Sequence, residues 1–163
     1  MIDLRTTTIV SGGQTGADRA ALDFAIEHDI PHAGWCPRGR LAEDGPIAAR
    51  YRLQETPSRK YSQRTEWNVR DSDATVLFTI APQVVGGTAL ALEIARRLGR
   101  PTLHLHQNEV GASEEATDAA AERLLLFLTE HQVGRLNVAG PRASQEPEIG
   151  EFVRQVLLRA LHV

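Results

Sequence analysis

Short β-branched runs alternate along the chain with segments in which alanine and leucine recur at helical spacing. The first such unit joins an apolar run at 7–11 to a helix predicted over 16–28. A near-continuous apolar run at 73–80, followed by a helix predicted over 89–98, repeats it and is typical of a strand covered on both faces. This alternation predicts an α/β fold, a doubly wound and mostly parallel sheet with helices on both faces.

The remaining elements follow from the same patterns. Strands are expected at 30–35, 53–55, 101–106 and 135–138, and helices at 47–51, 62–70, 113–131 and 147–161. A turn-rich stretch at 36–46 separates the second strand from the short helix, and connections of this length are usually functional. With 163 residues, of which 42% are hydrophobic, we expect residues 1–163 to form a single ligand-binding domain.

Two glycine-rich turns stand at junctions between a predicted strand and a predicted helix. They read Ser-Gly-Gly-Gln-Thr-Gly-Ala-Asp-Arg at 11–19 and Val-Gly-Gly-Thr at 85–88. The first N–H groups of a helix lack intrahelical partners and carry positive partial charge, so such turns are candidate phosphate sites. Neither turn has the lysine of a P-loop or the spacing of the dinucleotide-binding Gly-x-Gly-x-x-Gly motif.

The order of the strands decides whether the two turns meet. If that order is 3-2-1-4-5-6, the first and fourth strands are neighbours and their helices leave on opposite faces of the sheet. Both turns would then line one cleft, and the loop after the last strand would bring Arg142 to the same edge. We expect Gly13→Val or Gly87→Val to abolish binding while leaving the fold largely intact. Asp18 is either a ligand contact or part of an exposed helix turn.

Charge is distributed unevenly along the chain. The net charge is −3, yet the segment 35–70 holds eight basic and four acidic residues and is locally +4. Lys60 is the only lysine, and guanidinium groups bind phosphate or carboxylate through paired hydrogen bonds. A small anionic ligand fits this pattern, with a solvated arginine-rich face as the alternative. An acidic chain with 5% aromatic residues does not favour nucleic acid as a partner.

Compartment and metal content are predicted from what the sequence lacks. The apolar runs are too short for a transmembrane helix, so we expect no membrane association. The first residues, 1–5, lack the pattern of a secretory signal, and the single Cys36 cannot form an intrachain disulfide, so the cytoplasm is expected. His104 and His106 share one face of a predicted strand, but no third ligand is near and we predict no metal site.

Five stretches of the sequence carry a family resemblance that covers nearly the whole chain. They are Ser-Gly-Gly-Gln-Thr-Gly-Ala-Asp-Arg-Ala-Ala-Leu-Asp at 11–23, Gly-Trp-Cys-Pro-Arg-Gly-Arg to Ala-Glu-Asp-Gly-Pro-Ile at 34–47, Arg-Thr-Glu-Trp-Asn-Val-Arg-Asp-Ser-Asp-Ala-Thr at 64–75, Gly-Gly-Thr at 86–88 and Asn-Val-Ala-Gly-Pro-Arg at 137–142. Together they resemble the molybdenum carrier proteins, the circularly permuted YpsA-like branch of the SLOG group. That family has a Rossmann-like fold and forms homo-oligomers, so the resemblance implies a dimer or a tetramer.

The resemblance further implies that the chain binds the molybdenum cofactor (molybdopterin), a phosphorylated pterin, and protects or transfers it without catalysis. The phosphate would lie at a glycine-lined helix start, the other polar end would meet the arginines of 38–40, and Trp35 or Trp67 would cover a ring. Partners would be molybdoenzymes or proteins of cofactor biosynthesis. The residues predicted to bind the cofactor are Gly12, Gly13, Gln14, Thr15, Gly16, Asp18, Arg38, Arg40, Gly86, Gly87, Thr88 and Arg142.

Two other functions remain open. Related SLOG enzymes cleave the base from a nucleoside monophosphate and carry Pro-Gly-Gly-x-Gly-Thr-x-x-Glu. In this chain the corresponding stretch, 84–93, lacks the proline and has Ala91 in the place of that glutamate, which argues against catalysis, and no catalytic residue is predicted. A non-catalytic sensor that binds a nucleotide would use the same cleft.

Overall fold

The computed structural model describes residues 4–107 and 113–161. In chain order its elements are a 3-10 turn (Leu4–Thr6), β1 (Thr8–Val10), α1 (Ala17–Glu27), β2 (His32–Ala33), β3 (Trp35–Cys36), β4 (Gln54–Glu55), α2 (Tyr61–Arg70), β5 (Ala74–Thr79), α3 (Gly86–Arg97), β6 (Thr102–His106), α4 (Glu114–Glu130), β7 (Arg135–Ala139) and α5 (Ile149–Leu161). Five strands form one parallel sheet, and β3 and β4 form a separate parallel pair. The prediction of an α/β fold with a mostly parallel sheet is confirmed, and the arrangement is Rossmann-like.

The order of the strands differs from the predicted one. The large sheet runs β2-β1-β7-β5-β6, so the last strand lies in the middle, between the first strand and the buried strand β5. The burial of the strands agrees with the observed order. Residues 136–138 of β7 are buried, as are all six residues of β5, whereas most of β6 is only partly covered and lies at an edge. The strand predicted near 53–55 pairs with β3 outside the main sheet.

Helices cover both faces of the sheet, as predicted. On one face α1, α4 and α5 enclose the larger apolar core, in which the rings of Phe78 and Phe152 meet edge to face at 5.7 Å. On the other face α2 and α3 pack over β5, with Val69, Leu77 and Ile94 in a second cluster. The large sheet is therefore buried on both sides, and its strand ends remain as the place where loops can form a site.

Two of the predicted helices differ in the structure. The helix expected at 47–51 is an irregular turn, because the Arg40 guanidinium takes the carbonyl oxygens of Ile47, Ala48 and Tyr51 as acceptors. The helix expected from 89 begins at Gly86, so its first turn contains the glycines. Residues 1–3, on which part of the targeting prediction depends, lie outside the described residues. Among the helices of 4–107 and 113–161, none has the length and the apolar character needed to cross a lipid bilayer.

Candidate functional site

A cleft opens where β1, β5 and β7 end at the carboxyl edge of the sheet. It has a volume of about 80 Å³ and is lined by Gly12, Gln14, Asp18, Arg64, Thr65, Asn68, Gly87, Thr88, Ala91, Asn137, Val138, Ala139, Gly140, Pro141, Arg142 and Gln145. Both glycine turns contribute to it, although their strands are not neighbours. The loop after β7 lies between them and forms a third wall. A volume of this size holds several water molecules or one phosphate-sized group.

The second turn leaves the first N–H groups of α3 open toward the cleft. No side chain within 4–107 and 113–161 caps the helix, whose N-cap residue is Val85. The N–H of Ala89 bonds to the Val85 carbonyl oxygen at 3.2 Å, and the three preceding N–H groups come before the helical hydrogen bonds begin. A Cβ added at Gly86 or Gly87 would meet no described atom within 4 Å. Among the described residues this turn therefore has the free donors and the space that an oxyanion requires.

The first turn is closed by hydrogen bonds of its own. The N–H of Gly13 donates to Ser11 Oγ at 3.3 Å, and the N–H of Gln14 donates to Asp18 Oδ2 at 3.3 Å. At the start of α1, the N–H of Ala17 donates to the Pro141 carbonyl oxygen at 3.3 Å. These donors already have acceptors, so the backbone of this turn is not an open phosphate cradle as the sequence suggested.

The glycines of the first turn instead allow close packing. A Cβ added at Gly12 would lie 1.8 Å from Arg64 Nη1, and one at Gly16 would lie 2.4 Å from the Pro141 carbonyl oxygen. Gly13 has a positive φ of 75°, and a Cβ there would lie 2.7 Å from Leu53 Cδ1. We therefore revise the expectation for Gly13→Val, because the valine would disturb the fold before it reached any ligand.

Asp18 and Arg64 form a buried ion pair in the wall of the cleft. Arg64 Nη1 lies 2.9 Å from Asp18 Oδ2, and the two side chains are 11% and 9% exposed. Burial raises the pKa of the Asp18 carboxyl, while the charge of Arg64 and the N–H of Gln14 oppose that rise. Asp18 is therefore part of the cleft and not of an exposed helix turn, and its charge is compensated from within the protein.

The Gln14 side chain has one end fixed and one end without a partner. Its Oε1 accepts hydrogen bonds from the N–H of Thr15 at 3.0 Å and from the N–H of Glu43 at 2.9 Å. Two backbone donors define which end of the amide is the oxygen. The Nε2 group is buried and has no acceptor within the described part of the chain. A buried donor without an acceptor is costly, and a ligand in the cleft is one way to satisfy it.

Glu43 connects three loops at the rim of the cleft. Its carboxylate accepts a hydrogen bond from Thr15 Oγ1 and bonds from Ser144 N at 3.2 Å and Ser144 Oγ at 2.6 Å. Arg142 Nη1 lies 4.0 Å from the same carboxylate. The bonds from Ser144 and Thr15 hold the pKa of Glu43 below its usual range. Glu43 thus fixes the loop that carries Arg142 to the cleft.

The structure separates the predicted binding residues into two groups. Six of them line the cleft: Gly12, Gln14, Asp18, Gly87, Thr88 and Arg142. Three others pack or bond within the first turn and do not line the cleft: Gly13, Thr15 and Gly16. Gly86 adjoins the cleft at the start of α3. Arg38 is exposed and is not among the lining residues. The guanidinium of Arg40 is bonded to the carbonyl oxygens of the 47–53 turn and shapes the loop.

The two tryptophans pack against each other and do not line the cleft. Their rings meet edge to face at 4.8 Å, and Trp35 Nε1 donates to Asp71 Oδ2 at 2.8 Å. The structure therefore does not support the expectation that either would cover a ligand ring. On β6, His104 Nε2 lies 2.7 Å from Thr79 Oγ1. Within 4–107 and 113–161, no group of three or more histidine, cysteine or acidic side chains has the arrangement of a metal site.

Sequence reasoning missed several lining residues, and three of them had a readable signal. Arg64 and Asn68 are four residues apart on α2 and so share one helix face, which turns toward the cleft. The Asn68 amide also pairs with the Trp35 backbone, at 2.7 Å to its N–H and 2.9 Å to its carbonyl oxygen. Asn137 is the polar residue inside an otherwise apolar part of β7. Thr65 and Gln145 had no comparable signal.

Comparison with known proteins adds two findings to this geometry. The model of the circularly permutated YpsA SLOG family matches residues 9–161. The chain is also similar to a crystal structure from Syntrophus aciditrophicus SB described as a "Putative molybdenum carrier protein". The identity is 44% and the TM-score is 0.88, over 95% of this chain and 94% of that chain. None of the curated proteins matches the chain.

Proposed function

We propose that this chain, which belongs to the circularly permuted YpsA SLOG family, binds a phosphorylated small molecule in its cleft and holds it without transforming it. The first candidate for this cargo is the molybdenum cofactor, and the second is a nucleotide. The name of the relative from Syntrophus aciditrophicus supports the first candidate, because that relative is 44% identical over nearly the whole of both chains.

One observation carries the proposal, namely the open start of α3. The helix begins without a side-chain cap, and its first glycines have free space in front of them. Three adjacent N–H groups at the positive end of a helix are suited to the oxygens of a phosphate. Arg142 lines the same cleft and adds a positive charge, and its side chain is about one-third exposed. The phosphate would therefore lie at 86–88.

The size of the cleft limits which part of the cargo it encloses. Its volume of about 80 Å³ is smaller than a whole phosphorylated pterin, so part of such a molecule would extend beyond the cleft. When bound, the cofactor would bring a molybdenum centre that this chain stores or passes on. The residues of the chain bind and orient the cargo, and nothing in the proposal requires a bond to form or break.

The residue at position 91 supports binding without turnover. Ala91 stands where the related phosphoribohydrolases carry a glutamate, and it lines the cleft with 1% of its surface exposed. Glu93, the nearest carboxylate after it on α3, is exposed and is not among the lining residues. The place of the enzymes' acidic group is thus taken by a methyl group in this cleft.

The cargo can be identified by releasing it. We would denature protein purified from its native host, oxidise the released small molecules, and measure pterin fluorescence together with molybdenum by mass spectrometry. Release of base from nucleoside monophosphates would be assayed in parallel. Fluorescent pterin and molybdenum without turnover support the carrier, and base release would contradict it. Nucleotide that copurifies without turnover would replace the first cargo by the second.

We also propose that the protein acts as a homo-oligomer, a dimer or a tetramer, and delivers its cargo to molybdoenzymes or to proteins of cofactor biosynthesis. The family membership supports this proposal. Light scattering coupled to size-exclusion chromatography tests the assembly, and a monomeric mass at micromolar concentration would contradict it.

A further inference from the structure

Two residues of the first turn that line the cleft, Gln14 and Asp18, each have a side-chain polar atom without a hydrogen-bond partner among the described residues. Gln14 is 5% exposed, its Oε1 is held by the N–H groups of Thr15 and Glu43, and its buried Nε2 has no acceptor among the described residues. Because two backbone donors fix the oxygen, the amide cannot rotate to exchange its ends without losing both bonds. A ligand that satisfies Nε2 must present an acceptor to it.

Asp18 supplies the complementary group. Both of its hydrogen bonds, from the N–H of Gln14 at 3.3 Å and from Arg64 Nη1 at 2.9 Å, go to Oδ2. Its Oδ1 has no hydrogen-bond partner within 4–107 and 113–161. An ionised carboxylate only accepts hydrogen bonds, so it repels the oxygens of a phosphate. Arg64 compensates the charge of Asp18, and the free Oδ1 of Asp18 is suited to accept hydrogen bonds from N–H groups of a ligand.

We infer that Gln14 and Asp18 recognise the edge of a 2-amino-4-oxopyrimidine ring, the edge that pterins and guanine share. Gln14 Nε2 would donate to the ring carbonyl, and Asp18 Oδ1 would accept from the neighbouring ring N–H and the 2-amino group. A carboxylate oxygen has lone pairs enough for both donors. Adenine has one donor on this edge and no carbonyl, so it makes fewer of these contacts. The inference rests on the proposed function and divides the cleft into a phosphate site at α3 and a ring site at the first turn.

The pairing also predicts the result of changing the acceptor. In Asp18→Asn, the backbone N–H of Gln14 and the guanidinium of Arg64 still require an oxygen in the place of Oδ2. The NH₂ group of the new side chain therefore takes the place of Oδ1. An acceptor toward the ligand then becomes a donor. The preference should move from guanosine monophosphate, which has an amino group at C2 of its base, to xanthosine monophosphate, which has a carbonyl group there.

The test is calorimetry with four phosphates that differ only in the base. For the unaltered protein we expect guanosine monophosphate to bind about tenfold or more tightly than adenosine monophosphate or ribose 5-phosphate. Asp18→Asn should lose about tenfold for guanosine monophosphate and gain for xanthosine monophosphate. Asp44→Asn is the matched control, since Asp44 also pairs with an arginine, Arg19, but away from the cleft, and it should change neither affinity.

The comparison on the unaltered protein needs no variant, so the inference stays testable if Asp18→Asn unfolds. Equal affinities for all four phosphates would overturn the ring site while leaving the phosphate site intact. If none of the four binds, the ring site is overturned, whereas the proposed function is decided separately by the pterin and molybdenum released from the purified protein. Two phosphate-free compounds, 6-carboxypterin and guanosine, would then be tested as competitors of guanosine monophosphate. The stronger competitor shows whether the site prefers the ring edge of a pterin or that of guanine. If neither compound competes, the inference is overturned.

Discussion

The two glycine turns look alike in sequence and differ in their surroundings. At 11–16 a Cβ added to Gly12, Gly13 or Gly16 would collide with neighbouring atoms at 1.8–2.7 Å, and the backbone donors are bonded within the protein. At 85–88 a Cβ on Gly86 or Gly87 would meet no described atom within 4 Å, and no side chain caps the helix. The first turn is closely packed against other parts of the chain, whereas the second is an uncapped helix start with open space in front of it.

The difference shows that a glycine-rich turn serves one of two purposes. In the first turn the missing side chains let other parts of the chain approach: Arg64 above Gly12, the 47–53 turn beside Gly13, and the loop after β7 beside Gly16. In the second turn the missing side chains leave open space in front of the helix. Under the functions proposed above, the first turn would contribute the Gln14 and Asp18 side chains to binding, and the second would contribute its backbone N–H groups.

The largest effect is expected from adding a methyl group to the packed turn. Gly16 has φ 82° and ψ −128°, a region that only glycine adopts readily, and its Cβ would lie 2.4 Å from a backbone oxygen. Gly16→Ala should lower the free energy of unfolding by about 3 kcal/mol or more, measured by denaturant titration. Gly86→Ala is the control, with φ 56° but open space, and should cost about 1 kcal/mol. Equal losses would show that packing does not distinguish the turns.

The second effect is on the ion pair that the packed turn encloses. Arg64→Met leaves the Asp18 carboxylate buried without its partner, which should cost about 3 kcal/mol near neutral pH. Because burial raises the folded pKa of Asp18 above its unfolded value, the loss should shrink as the pH falls toward the usual aspartate range. Unfolding titrations at several pH values measure it. If the loss of unfolding free energy grew as the pH fell, the buried charge of Asp18 would not be its cause.

The third effect should appear in binding and hardly in stability. Gly87→Val places a side chain in the open space before α3, so the affinity for a nucleoside monophosphate should fall by about tenfold or more. The free energy of unfolding should change by less than about 1 kcal/mol, because the position lies in the first helical turn and a Cβ there would meet no described atom within 4 Å. If the variant binds as well as the unaltered protein, the ligand does not occupy this turn.

The smallest effect concerns the rim. Glu43→Gln keeps the shape of the side chain but weakens its bonds to Ser144 and Thr15, so hydrogen exchange in the 140–146 loop should become faster. The lowered pKa of Glu43 means that its contribution is complete at neutral pH and is lost as the pH falls below the usual glutamate range. The variant and the unaltered protein should therefore exchange alike at acid pH. A difference that persists there would argue against Glu43 as the link.

The fold class was predictable because each strand and helix carries its own pattern. The six buried residues of β5 and the helical spacing in α1 identify those elements locally. The position of β7 in the sheet was not predictable, since the sequence of a five-residue strand does not show which strands will be its neighbours. The assumed strand order placed β7 at an edge. The turn at 47–51 escaped prediction for a similar reason, because it is organised by the side chain of Arg40, which lies earlier in the same connection between β3 and β4.

The candidate site was predictable in its location and less so in its residues. Strand-to-helix turns reach the carboxyl edge of a parallel sheet whatever the strand order, so both turns met in one cleft. The spacing of Arg64 and Asn68 places them on one face of α2, but the sequence does not show that this face turns inward, because that depends on the space left at Gly12 and on the buried Asp18. Those contacts join parts of the chain that are far apart in sequence.

A titration of backbone amides with inorganic phosphate tests the central claim, that the second turn is the anion site and the first is not. With ¹⁵N-labelled protein, the account predicts that phosphate shifts the amide resonances of Gly86, Gly87 and Thr88 most. Those of Gly13, Gln14 and Ala17, which already donate within the protein, should move little. Shifts concentrated at the first turn, or absent from 86–88, would contradict it.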